Sequence, residues 1–260
     1  MSENGDPSGA PQPPTSRWDV YLSPHSDDVC FSLGALAHER HGGVLLTVFP
    51  IAGYMAVRPG ESRPGSDQVT AIRMSEDIAF TAACGLRAEF LKIMGASLLG
   101  RRPFDLGFAD DNAKRIEAPL LGLLLQLAAE RGEGARPWLF CPSGIGGHVD
   151  HVAIRLVTVR HYDRLASLYR LAFYEDLPYA SQPLARLTGL EQLLRGLHGR
   201  SLRRHAWPLA DKAGIKLSLI RLYESQFLEP PSSLDSFTPA AESSLAPHEA
   251  VWTEELTGPM

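Results

Sequence analysis

Six ionisable side chains in two short stretches carry the chemistry of this sequence. His25, Asp27 and Asp28 fall within one run of four positions, and His148, Asp150 and His151 within another, more than a hundred residues later. Imidazole nitrogen and carboxylate oxygen are ligands for zinc and other divalent transition metals. Two histidines and a carboxylate with one position left open form a recurring catalytic ligand set. His25 and Asp28 are three apart, as are His148 and His151, so each pair shares one side of a helical turn. One member of each pair suffices for a metal, which leaves the others for proton work. An aspartate beside a metal-bound water takes its proton, and a spare histidine stabilises an oxyanion or protonates a leaving amine. The combination reads as metal-assisted hydrolysis. Taken singly, each piece also fits a helix cap or a solvated turn; so many ionisable groups at two strand ends do not.

The elements that position these residues follow from hydrophobic patterning. Trp18–Leu22 is a short apolar run that reads as a buried first strand, and a helix begins at Asp27 and Asp28 and stops at Gly42 and Gly43. Further strands are expected at Val44–Phe49, Glu89–Ile93, Pro137–Cys141 and Leu168–Glu175. Helices are expected from Gln68 to Cys84 with Asp67 as cap, from Asp110 or Asp111 to Glu130, from His148 to Tyr162, and from Asp211 to Phe227. Residues 184–204 are amphipathic, glycine-broken and rich in arginine. Alternating short apolar strands and amphipathic helices imply an α/β fold with a mostly parallel sheet. Such sheets bind ligands beyond the carboxyl ends of their strands. Both clusters follow directly after expected strands, so both belong at that rim. The loops 51–67 and 95–108 are long and punctuated by glycine and proline, and are the expected seat of specificity.

Composition sets the outer bounds. The 260 residues are 44% hydrophobic and 21% charged, ordinary values for a globular protein that buries a sizeable core. A net charge of −5 gives no reason to expect nucleic acid as a partner. Cys30, Cys84 and Cys141 are far apart and odd in number, which suggests buried apolar residues rather than disulfides or a thiolate metal site. No apolar run is long enough to span a membrane and no signal peptide is evident, so a cytoplasmic location is the default expectation. Residues 1–16 read as a disordered leader, 17–228 as one catalytic domain, and the Pro/Ser-rich 229–260 as a C-terminal tail lying over the surface. Oligomeric state, including a homo-oligomer, is left open.

The same residues resemble a known family. Ser23-Pro-His-Ser-Asp-Asp28 is similar to the (A/S)-H-P-D-D-E signature of the PIG-L/LmbE-like de-N-acetylases, and His148-Val-Asp-His151 to their H-P-D-H. Arg73-x-x-Glu76 with Ala82-Ala-Cys-Gly-Leu86, then Phe173-Tyr-Glu-Asp-Leu-Pro-Tyr179, then Lys212 with Tyr223-Glu-Ser-Gln226 extend the resemblance over most of 18–228. It implies a Rossmann-like three-layer fold and metal-dependent removal of an N-acyl group. The metal would be zinc or another divalent transition metal, and the substrate a small N-acylated molecule, typically an amino sugar or its conjugate. A natural-product intermediate is one such substrate, and a non-sugar or thiol-conjugate amide is the alternative. By the resemblance, His25, Asp28 and His151 hold the metal and Asp27 is the general base. His148 stabilises the oxyanion or acts as general acid, with Asp150 orienting it. Arg73 and Tyr174 contact substrate, and Glu175 and Asp176 lie nearby. Ser26, Val29 and Val149 depart from the motifs without touching a ligand position, and Val29, standing where the signature has Glu, is expected to bear on substrate class.

Overall fold

The computed structural model describes residues 18–132, 134–240 and 246–254; the expected leader lies outside them. Seven strands form one sheet: β1 (Val20–Ser23), β2 (Val44–Thr47), β3 (Arg87–Phe90), β4 (Trp138–Pro142), β5 (Arg170–Tyr174), β6 (Arg203–Pro208) and β7 (His248–Thr253). Their order across the sheet is β3-β2-β1-β4-β5-β7-β6. The pairings from β3 through β5 are all parallel, and β7 runs antiparallel to both of its neighbours. The chain moves outward from β1 to β3 and then returns to the other side of β1 with β4. This reversal opens a crevice at the carboxyl ends of β1 and β4, where such sheets bind ligands.

Alternation along β1 makes the fold three-layered. Tyr21 enters one apolar cluster while Val20 and Leu22 enter another, because successive side chains leave a strand on opposite faces. The first cluster lies under α1 (Asp28–Arg40), α2 (Ser66–Cys84) and α7 (Ala213–Ile220). The second lies under α3 (Ala109–Arg131), α4 (Val149–Arg160) and α5 (Tyr162–Ala166), with α6 (Pro183–Gly196) contributing Leu193. Cys30, Cys84 and Cys141 are all free and buried, as their spacing implied. Among the described residues no helix is long and apolar enough to cross a membrane.

Helix α1, which begins the first cluster, is buried along most of its length and kinked at Leu33, whose backbone leaves the helical region (φ −133°, ψ 21°). The interruption is repaired by a fully buried ion pair. Glu249 accepts from the Ala35 and Leu36 backbone N–H groups at 2.9 and 2.8 Å, and Lys216 Nζ donates to the Phe31 carbonyl at 2.7 Å. Lys216 and Glu249 meet at 2.5 Å. Each charge thus satisfies helix groups left open at the kink as well as its partner, the condition under which a buried pair is tolerated.

Several elements depart from the sequence reading. Residues 248–253, placed in a surface tail, form β7, paired with β5 on one side and β6 on the other. The run hides a charged residue, Glu249, at a core position, so it does not read as a buried strand. Residues 203–208, of which the first two fell in the amphipathic arginine-rich stretch and the rest in no expected element, form the edge strand β6, where the exposed Arg203 and a terminal proline suit an unpaired edge. The last expected helix is also shorter: α7 ends at Ile220, and a 3₁₀ turn at Glu224–Gln226 follows. Helix α2 is preceded by Gly65 rather than capped by Asp67, which lies in its first turn.

Candidate active site

The turn after β1 delivers His25, Asp27 and Asp28, and the turn after β4 delivers His148, Asp150 and His151, to one crevice. The rings of His25, His148 and His151 lie 4.8 to 5.4 Å apart, centroid to centroid. One donor atom from each imidazole lies within 4.8 Å of the other two, a grouping that can hold a metal ion.

Asp28 sits at the focus. Its Oδ2 is 3.2 Å from His25 Nδ1 and 3.3 Å from His151 Nε2, and it also accepts the His25 backbone N–H at 2.8 Å. Donors bound to one tetrahedral ion at about 2.0–2.1 Å are separated by about 3.3 Å. The spacing of Asp28 from both histidines therefore fits a shared divalent cation. The far nitrogen of each histidine is backed by a second carboxylate: Asp150 Oδ2 stands 3.0 Å from His25 Nε2, and Asp176 Oδ1 stands 2.9 Å from His151 Nδ1. Carboxylates in that position fix ring orientation and raise ligand basicity. They are themselves tethered. Asp150 accepts from Ala96 N and Asn112 Nδ2, and Asp176 from Ser143 Oγ and Ile145 N.

Electrostatics agree with a cation at this point. Burial alone would depress His151, but the Asp28 and Asp176 carboxylates outweigh it and raise the imidazole to about 10. Burial would raise the Asp28 carboxyl, yet His151 and His25 hold it well below the ordinary carboxylate range. A field that binds protons this strongly between two histidines and a carboxylate also favours a metal ion.

Asp27 has a different setting. It precedes α1 with φ 132° and ψ −36°, a strained conformation for a residue with a side chain, and its carboxylate makes no capping bond. The helix-cap explanation of this residue therefore fails. Its Oδ2 lies 3.1 Å from Arg73 Nη2, and the same guanidinium nitrogen donates to the Ser26 carbonyl at 2.6 Å. Burial pushes the Asp27 carboxyl up to about 7, against the pull of Arg73. A carboxyl poised near neutrality is suited to exchanging a proton.

His148 is the N-cap of α4, and its Nδ1 accepts the Asp150 backbone N–H at 3.3 Å. In the neutral ring this assigns the proton to Nε2. Burial, then the neighbouring His25 and His151, lower its pKa to about 3, so near neutral pH it is an N–H donor rather than an acid.

These residues open onto a cavity of about 960 Å³ whose wall includes His25, Asp27, Asp28, Arg73 and His148. Both long loops contribute to it, Tyr54 and Arg63 from the first and Leu98 and Phe104 from the second. Two expected roles are not met. Tyr174, expected against substrate, is wholly buried and donates its hydroxyl to the Leu22 carbonyl at 2.8 Å; strand alternation turns it into the core. Asp150, expected behind His148, turns its carboxylate to His25 and gives His148 only its backbone N–H. Val29 packs wholly inside the core and does not line the cavity.

The sequence reading missed Tyr179 as a cavity residue. It stacks edge-on at 5.8 Å from His151, close to Gly146, where an added Cβ would fall 2.3 Å from its ring. The glycine-rich turn before His148 carried the signal: Gly146 has φ 88° and lets this aromatic ring in. Arg58 and Arg101, one in each of the two long loops, are engaged away from the cavity, with Glu229 at the surface and with Asn112 and the Phe108 ring.

No protein-family model matches the chain. A 2'-N-acetylparomamine deacetylase of Streptomyces fradiae is 33% identical over an alignment of 197 positions that covers 69% of this chain and 63% of that protein; the chain thus spans less than two thirds of that relative's length. Two solved structures share the fold: the A40926 pseudoaglycone deacetylase Dbv21 (TM-score 0.62, 23% identity, 92% of this chain and 96% of that one) and a deacetylase–teicoplanin complex (TM-score 0.65, 16% identity, 90% and 96%). Together with the seven-stranded sheet, they establish the expected Rossmann-like α/β architecture.

Proposed function

We propose that this protein is a zinc-dependent N-deacetylase of the PIG-L/LmbE-like type that removes the acetyl group from an amino sugar or its conjugate in natural-product biosynthesis. The observation that carries the proposal is the convergence of His25 Nδ1 and His151 Nε2 on Asp28 Oδ2, with the unspent carboxyl of Asp27 adjacent in the chain and facing the cavity. Identity to a curated 2'-N-acetylparomamine deacetylase supports the substrate class.

In this reading His25, Asp28 and His151 hold the ion, and the nitrogen–nitrogen–oxygen donor set suits zinc. A divalent ion there supplies Lewis acidity, polarising the amide carbonyl and acidifying water. Asp27 takes the proton from the attacking water, for which a carboxyl near 7 is matched. Arg73 holds that carboxylate in place. His148 Nε2–H donates to the oxygen that becomes negative as the carbonyl carbon turns tetrahedral. The C–N bond then breaks, the protonated Asp27 returns its proton to the departing amine, and acetate and free amine are the products. Asp150 and Asp176 act as positioning residues behind His25 and His151.

The test is release of acetate, with equimolar amine, from N-acetylated amino sugars. The zinc-loaded wild type is expected to release both and chelator-treated protein neither. Undiminished release after chelation, or release of an acid other than acetate from a mixed acyl panel, would overturn the assignment.

A further inference from the structure

The loop 95–108 does more than wall the cavity, because its anchors lie behind the metal site. The Ala96 N–H donates to Asp150 Oδ2 at 3.1 Å, and the same oxygen stands 3.0 Å from His25 Nε2. The Pro103 carbonyl accepts the Val149 N–H at 2.7 Å, next to His148, the N-cap of α4. Between these anchors the loop sends Leu98 to the cavity wall, and just past the second it sends Phe104, whose ring lies 5.6 Å from that of His148.

Asn112 holds this arrangement from α3. It is fully buried, and its Nδ2 donates to Asp150 Oδ1 at 2.9 Å. Its Oδ1 accepts from Arg115 Nη1 at 3.0 Å and from Arg101, which belongs to the loop. These partners fix the orientation of the amide, since the flipped group would set oxygen against carboxylate and N–H against guanidinium. Asp150 thus shares one oxygen between His25 and the loop, while Asn112 fixes the other.

The two nitrogens of His25 make this sharing consequential. Nδ1 faces Asp28 at 3.2 Å, so a neutral ring that gives Nδ1 to an ion carries its proton on Nε2 and donates it to Asp150. An ion then fixes the tautomer, the ring fixes the carboxylate, and the carboxylate fixes the Ala96 N–H. Resting on the assignment of His25 to the metal, we propose that Asn112 is a positioning residue that couples, through Asp150, occupancy of the metal site to closure of loop 95–108 over the cavity. Such coupling is reciprocal: the factor by which the ion favours the closed loop is the factor by which the closed loop raises metal affinity.

Hydrogen exchange and zinc affinity test both directions without substrate. In the wild type, zinc should slow exchange of backbone amides 97–105 by about fivefold or more, while those of β6, at the far edge of the sheet, stay unchanged. Ala96→Pro deletes the N–H given to Asp150. Gly95 before it is extended (φ −64°, ψ 157°) and Ala96 opens a 3₁₀ turn, a setting that accepts proline. This variant should bind zinc more weakly by the same factor, as measured by competition with a chromophoric chelator, and should lose the zinc-dependent slowing. Asn112→Leu acts from the other side of Asp150 and should weaken zinc binding about tenfold with the same loss. Wild-type zinc affinity in either variant, or loop exchange in the wild type that is indifferent to zinc, would overturn the proposal. A wild type that binds no zinc would overturn the metal assignment and the coupling with it. Zinc-dependent slowing in a wild type that releases no acetate would retain the coupling and overturn the activity instead.

Discussion

Two carboxylates, Glu175 and Asp27, show how the same chemical group is built into structure at one place and into a reactive site at another. Glu175 follows β5 and is saturated: Arg186 donates to it through Nε and Nη2 at 2.6 and 3.0 Å, Arg204 through Nε at 2.7 Å, and Trp252 through Nε1 at 2.9 Å. Although burial opposes it, these two arginines hold the Glu175 carboxyl below the ordinary range. It ties α6, β6 and β7 to β5 and has no acceptor capacity to spare. Asp27 meets one guanidinium nitrogen, sits on strained backbone and is pushed up to about 7. The difference is one of matching. A carboxylate given every donor it can use stabilises the fold, and one denied them retains a proton affinity that a reaction can use.

The strongest break in this comparison comes from removing each group in turn. Asp27→Asn is expected to lower kcat for deacetylation by about 10²–10⁴-fold, the usual worth of a general base, with unfolding free energy changed by less than about 1 kcal/mol. Steady-state kinetics and urea unfolding measure the two. Glu175→Ala should do the opposite. It leaves Arg186 and Arg204 facing an emptied site and should cost about 3–5 kcal/mol of stability, read from the urea midpoint, while zinc affinity stays within about twofold of wild type.

Asp77 stands between the two extremes. It is fully buried, accepts the hydroxyls of Thr47 and Tyr223, and burial raises it to about 6 from an ordinary 3.8. Because the folded state holds this proton more tightly than the unfolded one, the stabilisation is complete below about pH 4 and is lost as pH rises through about 6. Asp77→Asn should remove this component. The difference in unfolding free energy between wild type and variant should shift by on the order of 2–3 kcal/mol between pH 4 and pH 6.5, in the direction that weakens wild type at the higher pH. A constant difference across that range would place the Asp77 pKa near its ordinary value.

The smallest effect concerns the residue next to Glu175. Asp176 turns the other way, to His151 Nδ1. Asp176→Asn keeps its size but removes the charge behind the histidine, and should weaken zinc binding about 10–100-fold, as measured by competition with a chromophoric chelator.

Much of the site was legible in the sequence because its parts are local. A short apolar run followed by His25, Asp27 and Asp28, and another followed by His148 and His151, fixes both clusters at strand ends, and the alternation of elements puts those ends on one rim. The second carboxylates were less legible. Whether Asp150 faces His25 or His148 depends on how α4 packs against the turn at Gly95 and Ala96, which no local pattern encodes. Tyr174 and Tyr179 are five residues apart in one motif; β5 sends the first into the core, and only the turn after it brings the second to the cavity. The β7 strand was hidden because its pairing partners lie 40 to 80 residues back along the chain, and because Glu249 looks like a surface residue until Lys216 and the kink in α1 are seen to require it.

The central claim is that the turns after β1 and β4 are halves of one metal site. It is tested most directly by titrating zinc into chelator-stripped protein carrying His25→Ala, His151→Ala or Asp27→Asn. One equivalent should bind tightly to wild type and to Asp27→Asn, and tight binding should be lost in both histidine variants. Zinc bound with wild-type affinity by either histidine variant would contradict the claim.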